Sequence, residues 1–196
     1  MKNYSKITLS VLFVATAAFT SCSKDDDPTP MADTSLYGRL GGTKLVADPD
    51  NAGQMIEAGR LSYRKVVTST IGLIVADVKS NAPGNLATYF APVLAETGDT
   101  QATSLAKLND NLTDFFSFNT GGTNAVNNYS GLNMVAAHNP ATNPRMGAKA
   151  DSGDFDKFEG YVGSAAVMNG VKADSQEYKD VVAVLESLRA PIVQDK

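Results

Sequence analysis

The stretch "NNYSGLNMVAAHNP", residues 127–140, holds the only histidine of a 196-residue chain. The run "LNMVAAH" predicts a short helix that ends at His138, because Asn139 precedes Pro140 and is biased out of the helical region. A histidine at a helix C-terminus can donate one ring N–H to a carbonyl one turn back, and the spacing assigns that carbonyl to Met134. A capping or solvent-facing histidine fits the same pattern.

Apolar residues follow helical spacing in four longer stretches on both sides of this segment. The four stripes are Val67, Ile71, Ile74, Val75 and Val78; Leu105, Leu108, Leu112, Phe115 and Phe116; Phe155, Phe158, Val162 and Ala165; and Val181, Leu185, Leu188 and Ile192. No stretch shows the sustained alternation of a strand, so the sequence predicts an all-α domain with no internal repeat.

Helix-breaking residues separate these stretches. "NAPGN" (81–85), "TGG" (120–122) and the pair Asn169–Gly170 predict helix ends. The last helix is expected to open at Asp174, with Glu177 completing a capping box.

Composition bounds the function. The chain has 43% hydrophobic residues, 19% charged residues and a net charge of −4, a composition typical of a single globular domain. No basic patch stands out, so nucleic acid is not an expected partner, and the sequence indicates no protein partner.

The N-terminus predicts a lipoprotein. Residues 1–21 combine Lys2 and Lys6 with an apolar run, 7–19, that is too short to span a bilayer, as in a secretory signal peptide. "FTSC" (19–22) resembles a bacterial lipobox, which implies acylation of Cys22, the only cysteine. Residues 22–34 then form an acidic, flexible tether. We expect an outer-membrane lipoprotein, on the periplasmic or the cell-surface side.

Several kinds of site are excluded by the supply of ligands. A structural zinc site needs about four nitrogen or sulfur ligands, and the single histidine and single cysteine of this chain cannot supply them. "DPDNAG" (48–53) resembles a calcium loop, but Ala52 and Gly59 stand where oxygen ligands are needed, so an acidic turn opening a helix is the expectation. Haem differs from these sites, because one axial histidine is sufficient.

Five segments, in order, resemble truncated haemoglobins of group I. They are "SLYGRLGG" (35–42), "LATYF" (86–90), "LTDFF" (112–116), "YSGLNMVAAH" (129–138) and "FDKFEGYVGSAAVMNGV" (155–171). The resemblance covers most of the chain after Ser35. It implies a truncated globin-like 2-on-2 helical sandwich over residues 35–196, binding one haem b (iron protoporphyrin IX) with His138 as the proximal iron ligand.

The resemblance also implies a haem pocket, for which ordinary core packing is the alternative at each apolar position. Its walls would be Phe90, Leu108, Leu112, Phe115, Met134 and Phe158, with Ile71 on the distal side. Ile71 stands, beside Thr70, where many members carry a tyrosine. If the alignment shifts by a turn, Tyr63, Asn109 or Asn111 could reach the ligand instead.

Two stretches depart from the family pattern. Residues 43–63, "TKLVADPDNAGQMIEAGRLSY", form an extra segment, which we expect to be a helical insertion. "NPATNP" (139–144) lengthens the chain directly after His138.

The resemblance implies reversible binding of a diatomic ligand, oxygen or nitric oxide, and allows nitric-oxide dioxygenase activity. Two other functions stay open. The anchor and the apolar distal side are compatible with a surface module that captures or transfers haem, and the fold could also be retained without haem.

Overall fold

The computed structural model describes residues 33–195, so the expected signal peptide, Cys22 and most of the expected tether lie outside the described part. The all-α prediction is confirmed there, with one short hairpin as the exception. The elements are α1 Leu36–Arg39, β1 Leu45–Ala47, β2 Met55–Glu57, α2 Ala58–Lys79, α3 Ala87–Leu94, α4 Gly98–Asn119, a 3₁₀ turn Ala125–Asn127, α5 Met134–Ala137, α6 Ser152–Met168 and α7 Gln176–Ile192.

Helix α2 is the centre of the packing. It packs against both α4 and α6, and α6 packs in turn on α7. The short helix α5 contacts α7, while α3 closes against both α2 and α4. Two pairs of long helices, α2 with α4 and α6 with α7, therefore enclose the core.

The predicted apolar stripes form that core. The buried members of the central cluster, which we call the central core, are Tyr37, Tyr63, Val67, Ile71, Phe115, Phe116, Phe155, Val162 and Leu185. Burying each of the larger apolar side chains contributes about 1.5–3 kcal/mol. The helices are thus held by tertiary packing of one apolar face each.

The expected helical insertion is wrong. Residues 45–57 form an antiparallel hairpin in which Val46 pairs with Ile56, and "DPDNAG" is its turn rather than the start of a helix. Gly53 supplies a φ of +80° in that turn, a conformation that glycine adopts without steric cost. Helix α2 therefore begins only at Ala58.

Helix ends are mostly as predicted. "NAPGN", "TGG" and Asn169–Gly170 all follow helix termini. The start of α7 differs, because Ser175 is the N-cap and its Oγ accepts from the backbone N–H of Tyr178 at 3.2 Å. Within residues 33–195, no helix has the length and apolar character needed to cross a bilayer.

Candidate functional site

His138 terminates α5 in the predicted way. Asn133 opens this helix, since its Oδ1 accepts from the backbone N–H of Ala136 at 2.9 Å. Nδ1 of His138 lies 2.9 Å from the carbonyl oxygen of Met134, and this confirms the contact expected from the spacing. Because a carbonyl only accepts, the pairing assigns the proton to Nδ1 and leaves the lone pair on Nε2.

The environment of His138 favours the neutral ring. Its side chain is half-buried, and burial lowers the imidazole pKa below the ordinary value of 6.5. The hydrogen bond to Met134 opposes part of that decrease. A neutral imidazole with a free nitrogen is the form of histidine that binds metal ions.

The segment before α5 is fixed to α4 by an aromatic contact. The ring of Tyr129 lies edge-on to Phe115, with centroids 5.4 Å apart, and its hydroxyl donates to the carbonyl of Leu132 at 2.8 Å. A Cβ on Gly131 would lie 2.3 Å from the Tyr129 hydroxyl oxygen, so a larger residue at this position would displace the Tyr129 ring. The "YSG" motif therefore orients the chain that leads into α5.

Six of the seven apolar candidates belong to the central core or pack against it. Ile71 and Phe115 are buried members; Leu108, Leu112, Met134 and Phe158 are partly buried against it. The seventh, Phe90, packs instead on a neighbouring cluster formed by Ile74, Leu86 and Tyr161, and Phe158 contacts both clusters. The four partly buried side chains keep apolar surface accessible, whereas Ile71 and Phe115 are also explained by ordinary core packing.

The polar side chains considered for the distal side have other partners. The Tyr63 hydroxyl donates to Thr120 Oγ1 at 2.7 Å, and Asn109 Nδ2 donates to Thr68 Oγ1 at the same distance. Thr70 Oγ1 donates to the Val66 carbonyl at 2.9 Å, while Asn111 is exposed. Three of these four side chains are therefore already hydrogen-bonded to other groups.

A cavity of about 340 Å³ lies among α1, α2, α4, α6 and α7. Leu112 and Phe158 line it, so it adjoins the candidate walls, but His138 is not among its lining residues. Sequence reasoning did not find this cavity, since the helical stripes do not indicate where packing between helices is incomplete.

Sequence reasoning also missed three side chains that reach α5 from outside it. Thr142 and Asn143, within "NPATNP", and Gln194, after α7, donate to its carbonyl groups. The first two carry a readable signal, because Thr and Asn shortly after a helix end are common hydrogen-bonding residues. Gln194 carries none.

Residues 33–195 contain no cluster of three or more His, Cys, Asp or Glu side chains that could hold a metal ion. A metal at His138 would therefore need most of its ligands from a cofactor. No protein-family model, curated protein or solved structure matches the chain.

Proposed function

We propose that this chain is a haem-binding protein of the truncated-globin type, with His138 as the proximal ligand. One observation carries the proposal. The ring of the single histidine is held through Nδ1 by the Met134 carbonyl at 2.9 Å, which leaves a neutral ring with Nε2 available. A hydrogen bond of this kind to the other ring nitrogen fixes the tautomer and raises the basicity of a ligating nitrogen.

The donor set fits haem better than a free metal ion. Porphyrin supplies four nitrogens, so the protein needs to contribute only one axial ligand. The partly exposed apolar side chains of Leu108, Leu112, Met134 and Phe158 are the surface that an apolar macrocycle would cover. Ile71, Phe90 and Phe115 would complete the walls.

The helix pairing supports the finer fold proposal. A 2-on-2 sandwich needs two pairs of long helices, and the contacts of α2 with α4 and of α6 with α7 are compatible with two such pairs. The order of the five resembling motifs along the chain supports the same fold.

The chemistry of the distal side favours a diatomic ligand. Haem iron supplies an open coordination position for oxygen or nitric oxide. Ile71, Leu108 and Leu112 would exclude water from that side but donate no hydrogen bond. In the alternative, a haem-transfer module, the same apolar surface would serve only to hold the macrocycle until it passes to an acceptor.

We further propose that the domain is tethered to the outer membrane by lipid on Cys22. The small residues before Cys22 and the acidic, Pro-containing segment after it support this placement. Several acyl chains, each contributing about 0.8 kcal/mol per buried methylene, would make a stable anchor.

A hemin titration of the purified protein, followed by visible absorption, tests the proposal. Wild type should bind one equivalent, and His138→Ala should lose stoichiometric binding. Free imidazole should restore hemin binding to this variant, because it replaces the missing ligand. Val135→Ala is the matched control on α5, since the Val135 side chain is 51% exposed and should leave binding unchanged.

Two results would contradict the haem assignment. One is unchanged hemin affinity in His138→Ala; the other is a ferrous spectrum of the bis-imidazole kind in the monomer, which one histidine cannot provide. Rapid transfer of haem from the wild type to apomyoglobin would favour the haem-transfer module over ligand binding.

A further inference from the structure

Helix α5 is too short to satisfy its own carbonyl groups. The last four carbonyls of any α-helix lack an intrahelical partner, and α5 comprises only Met134–Ala137. A helix of one turn is also far below the length that is stable on its own in water. The direction of the His138 ring therefore depends on whatever holds this turn.

Each carbonyl of α5 accepts a hydrogen bond from a different side chain. The pairs are Met134 O with His138 Nδ1 at 2.9 Å, Val135 O with Gln194 Nε2 at 2.8 Å, Ala136 O with Thr142 Oγ1 at 2.7 Å, and Ala137 O with Asn143 Nδ2 at 2.7 Å. Met134 O and Ala136 O also accept from the backbone N–H groups of His138 and Asn139, at 3.2 and 3.5 Å, whereas the bonds to Val135 O and Ala137 O come from Gln194 and Asn143. We call Gln194, Thr142 and Asn143 the α5 clamp.

The clamp approaches α5 from two separate parts of the chain. Asn143 belongs to the segment after His138, and its own backbone N–H donates to the carbonyl of Asn139 at 2.8 Å. Gln194 follows α7; its backbone N–H donates to Ala150 at 3.0 Å, and its side-chain amide also contacts the Pro191 carbonyl at 3.1 Å. Both donors are therefore held in place before they reach α5.

We propose that Gln194 and Asn143 are positioning residues for the His138 ring. This inference rests on the proposed haem-binding function. Without either donor, a carbonyl of α5 turns towards water and the one-turn helix loosens. The bond between His138 Nδ1 and Met134 O then weakens, and the ring no longer presents Nε2 in one fixed direction.

The single histidine makes this directly measurable without haem. In the full-length protein every imidazole signal in a ¹H–¹⁵N spectrum belongs to His138, and at pH 8 the two neutral tautomers have distinct nitrogen shifts. Wild type should be mainly the Nδ1–H tautomer. Gln194→Glu and Asn143→Asp keep the size of each side chain but replace the donor, and both should shift His138 towards the Nε2–H tautomer.

Gln101→Glu is the matched control. Its Nε2 donates to the carbonyls of Val93 and Leu94 at 3.3 and 3.0 Å, the same kind of contact on a different helix, so the His138 tautomer should not change. Comparable thermal unfolding of the three variants would show that the replacements are equally well folded. If one clamp variant does not fold, the other decides the result.

Haem loss provides the second readout. Transfer of haem from the ferric protein to apomyoglobin should be about tenfold faster in each clamp variant than in Gln101→Glu, at the lower end of the effect of losing a group that orients a metal ligand. Folded clamp variants with the wild-type tautomer and haem-loss rate would overturn the positioning role. Failure of wild type to bind hemin would instead overturn the proposed function, while the tautomer spectra still report on the clamp.

Discussion

The hydroxyl of Tyr63 donates to Thr120 Oγ1 at 2.7 Å and so ties the first half of α2 to the end of α4. Both residues are buried, and the Tyr63 ring stacks between Tyr37 and Phe116, with centroids 6.4 and 6.0 Å away. Thr120 Oγ1 donates onward to the Phe116 carbonyl at 2.8 Å. Tyr63 is thus a structural residue in this arrangement, and its hydroxyl is already used.

Tyr63→Phe should lower the free energy of unfolding by about 1 kcal/mol, the typical net value of one hydrogen bond, because the ring packing is kept. Urea unfolding measures this effect. Tyr178→Phe is the control, because it removes a hydroxyl from a half-buried tyrosine that takes no part in this contact. Faster oxygen release from Tyr63→Phe, with unchanged stability, would show that this hydroxyl reaches the ligand instead.

Asp48, in the hairpin turn, should make the free energy of unfolding depend on pH. Arg64 binds Asp48 with both guanidinium ends, at 2.6 and 3.1 Å, and this contact holds the Asp48 pKa well below its usual 3.8. A lowered folded-state pKa gives stability that is present above the unfolded-state value and is lost as pH falls below it. Between pH 5 and 3, the urea midpoint of wild type should therefore fall more steeply than that of Asp48→Asn.

Asp50→Asn is the control for that experiment. Asp50 also contacts Arg64, at 2.9 Å, but its side chain is 68% exposed. The Asp50→Asn variant should follow the wild-type pH profile, because exposed ion pairs contribute little to stability. Parallel profiles for wild type and Asp48→Asn would contradict the assigned role of the Arg64 pair.

His138 should impose a second pH dependence at higher pH. Burial lowers its pKa below 6.5, so the unfolded chain takes up a proton first as pH falls. Stability is then lost below about pH 6.5, where the unfolded state binds more protons than the folded state. The free energy of unfolding of the apoprotein should decrease from pH 7.5 to 5.5 in wild type and in Val135→Ala, and change less in His138→Gln.

The residues around His138 show what a sequence can reveal. The contact with Met134 was predictable because it depends on local spacing and on Pro140, which ends the helix. The contact of Gln194 with Val135 was not, because it joins residues 59 positions apart. The stripes of α4 and α6 likewise indicated a core, but did not indicate that Phe90 packs on the neighbouring cluster.

The hairpin was missed for a physical reason. Its strands have three residues each, and Leu45 and Met55 are apolar although both are 58% exposed. Apolar residues on both faces hide the period of two that identifies a strand. At α7, Asp174 and Ser175 are both good caps, and the sequence alone did not choose between them.

Cys22 lies outside the described residues, so its proposed lipidation is tested by substitution. Cys22→Ala should release the protein from the membrane fraction or block its processing, because the acyl chains are proposed as the anchor. Ser23→Ala, one residue on, should behave as wild type. A membrane-free mature protein cut downstream of Cys22 would contradict the anchor.

Ile71 carries the sharpest prediction about ligand binding. Oxygen takes on partial negative charge when it binds at a ferrous haem, and a hydrogen bond to a charged group contributes about 1.5–3 kcal/mol. Ile71 is 9% exposed within the central core and offers no donor. Oxygen should therefore leave the wild type quickly, about ten- to a hundredfold faster than from truncated haemoglobins that carry a distal tyrosine.

Ile71→Tyr should slow oxygen release, and Ile71→Phe is the control that adds the ring without the hydroxyl. A larger side chain at this site costs about 1–3 kcal/mol by overpacking, so only the difference between the two variants reports on the hydrogen bond. Stopped-flow measurements should give release about ten- to a hundredfold slower from Ile71→Tyr than from Ile71→Phe, with a smaller difference for carbon monoxide. Equal rates would mean that Ile71 does not face the ligand, and slow release from the wild type would point to Asn109 or Asn111 as the donor.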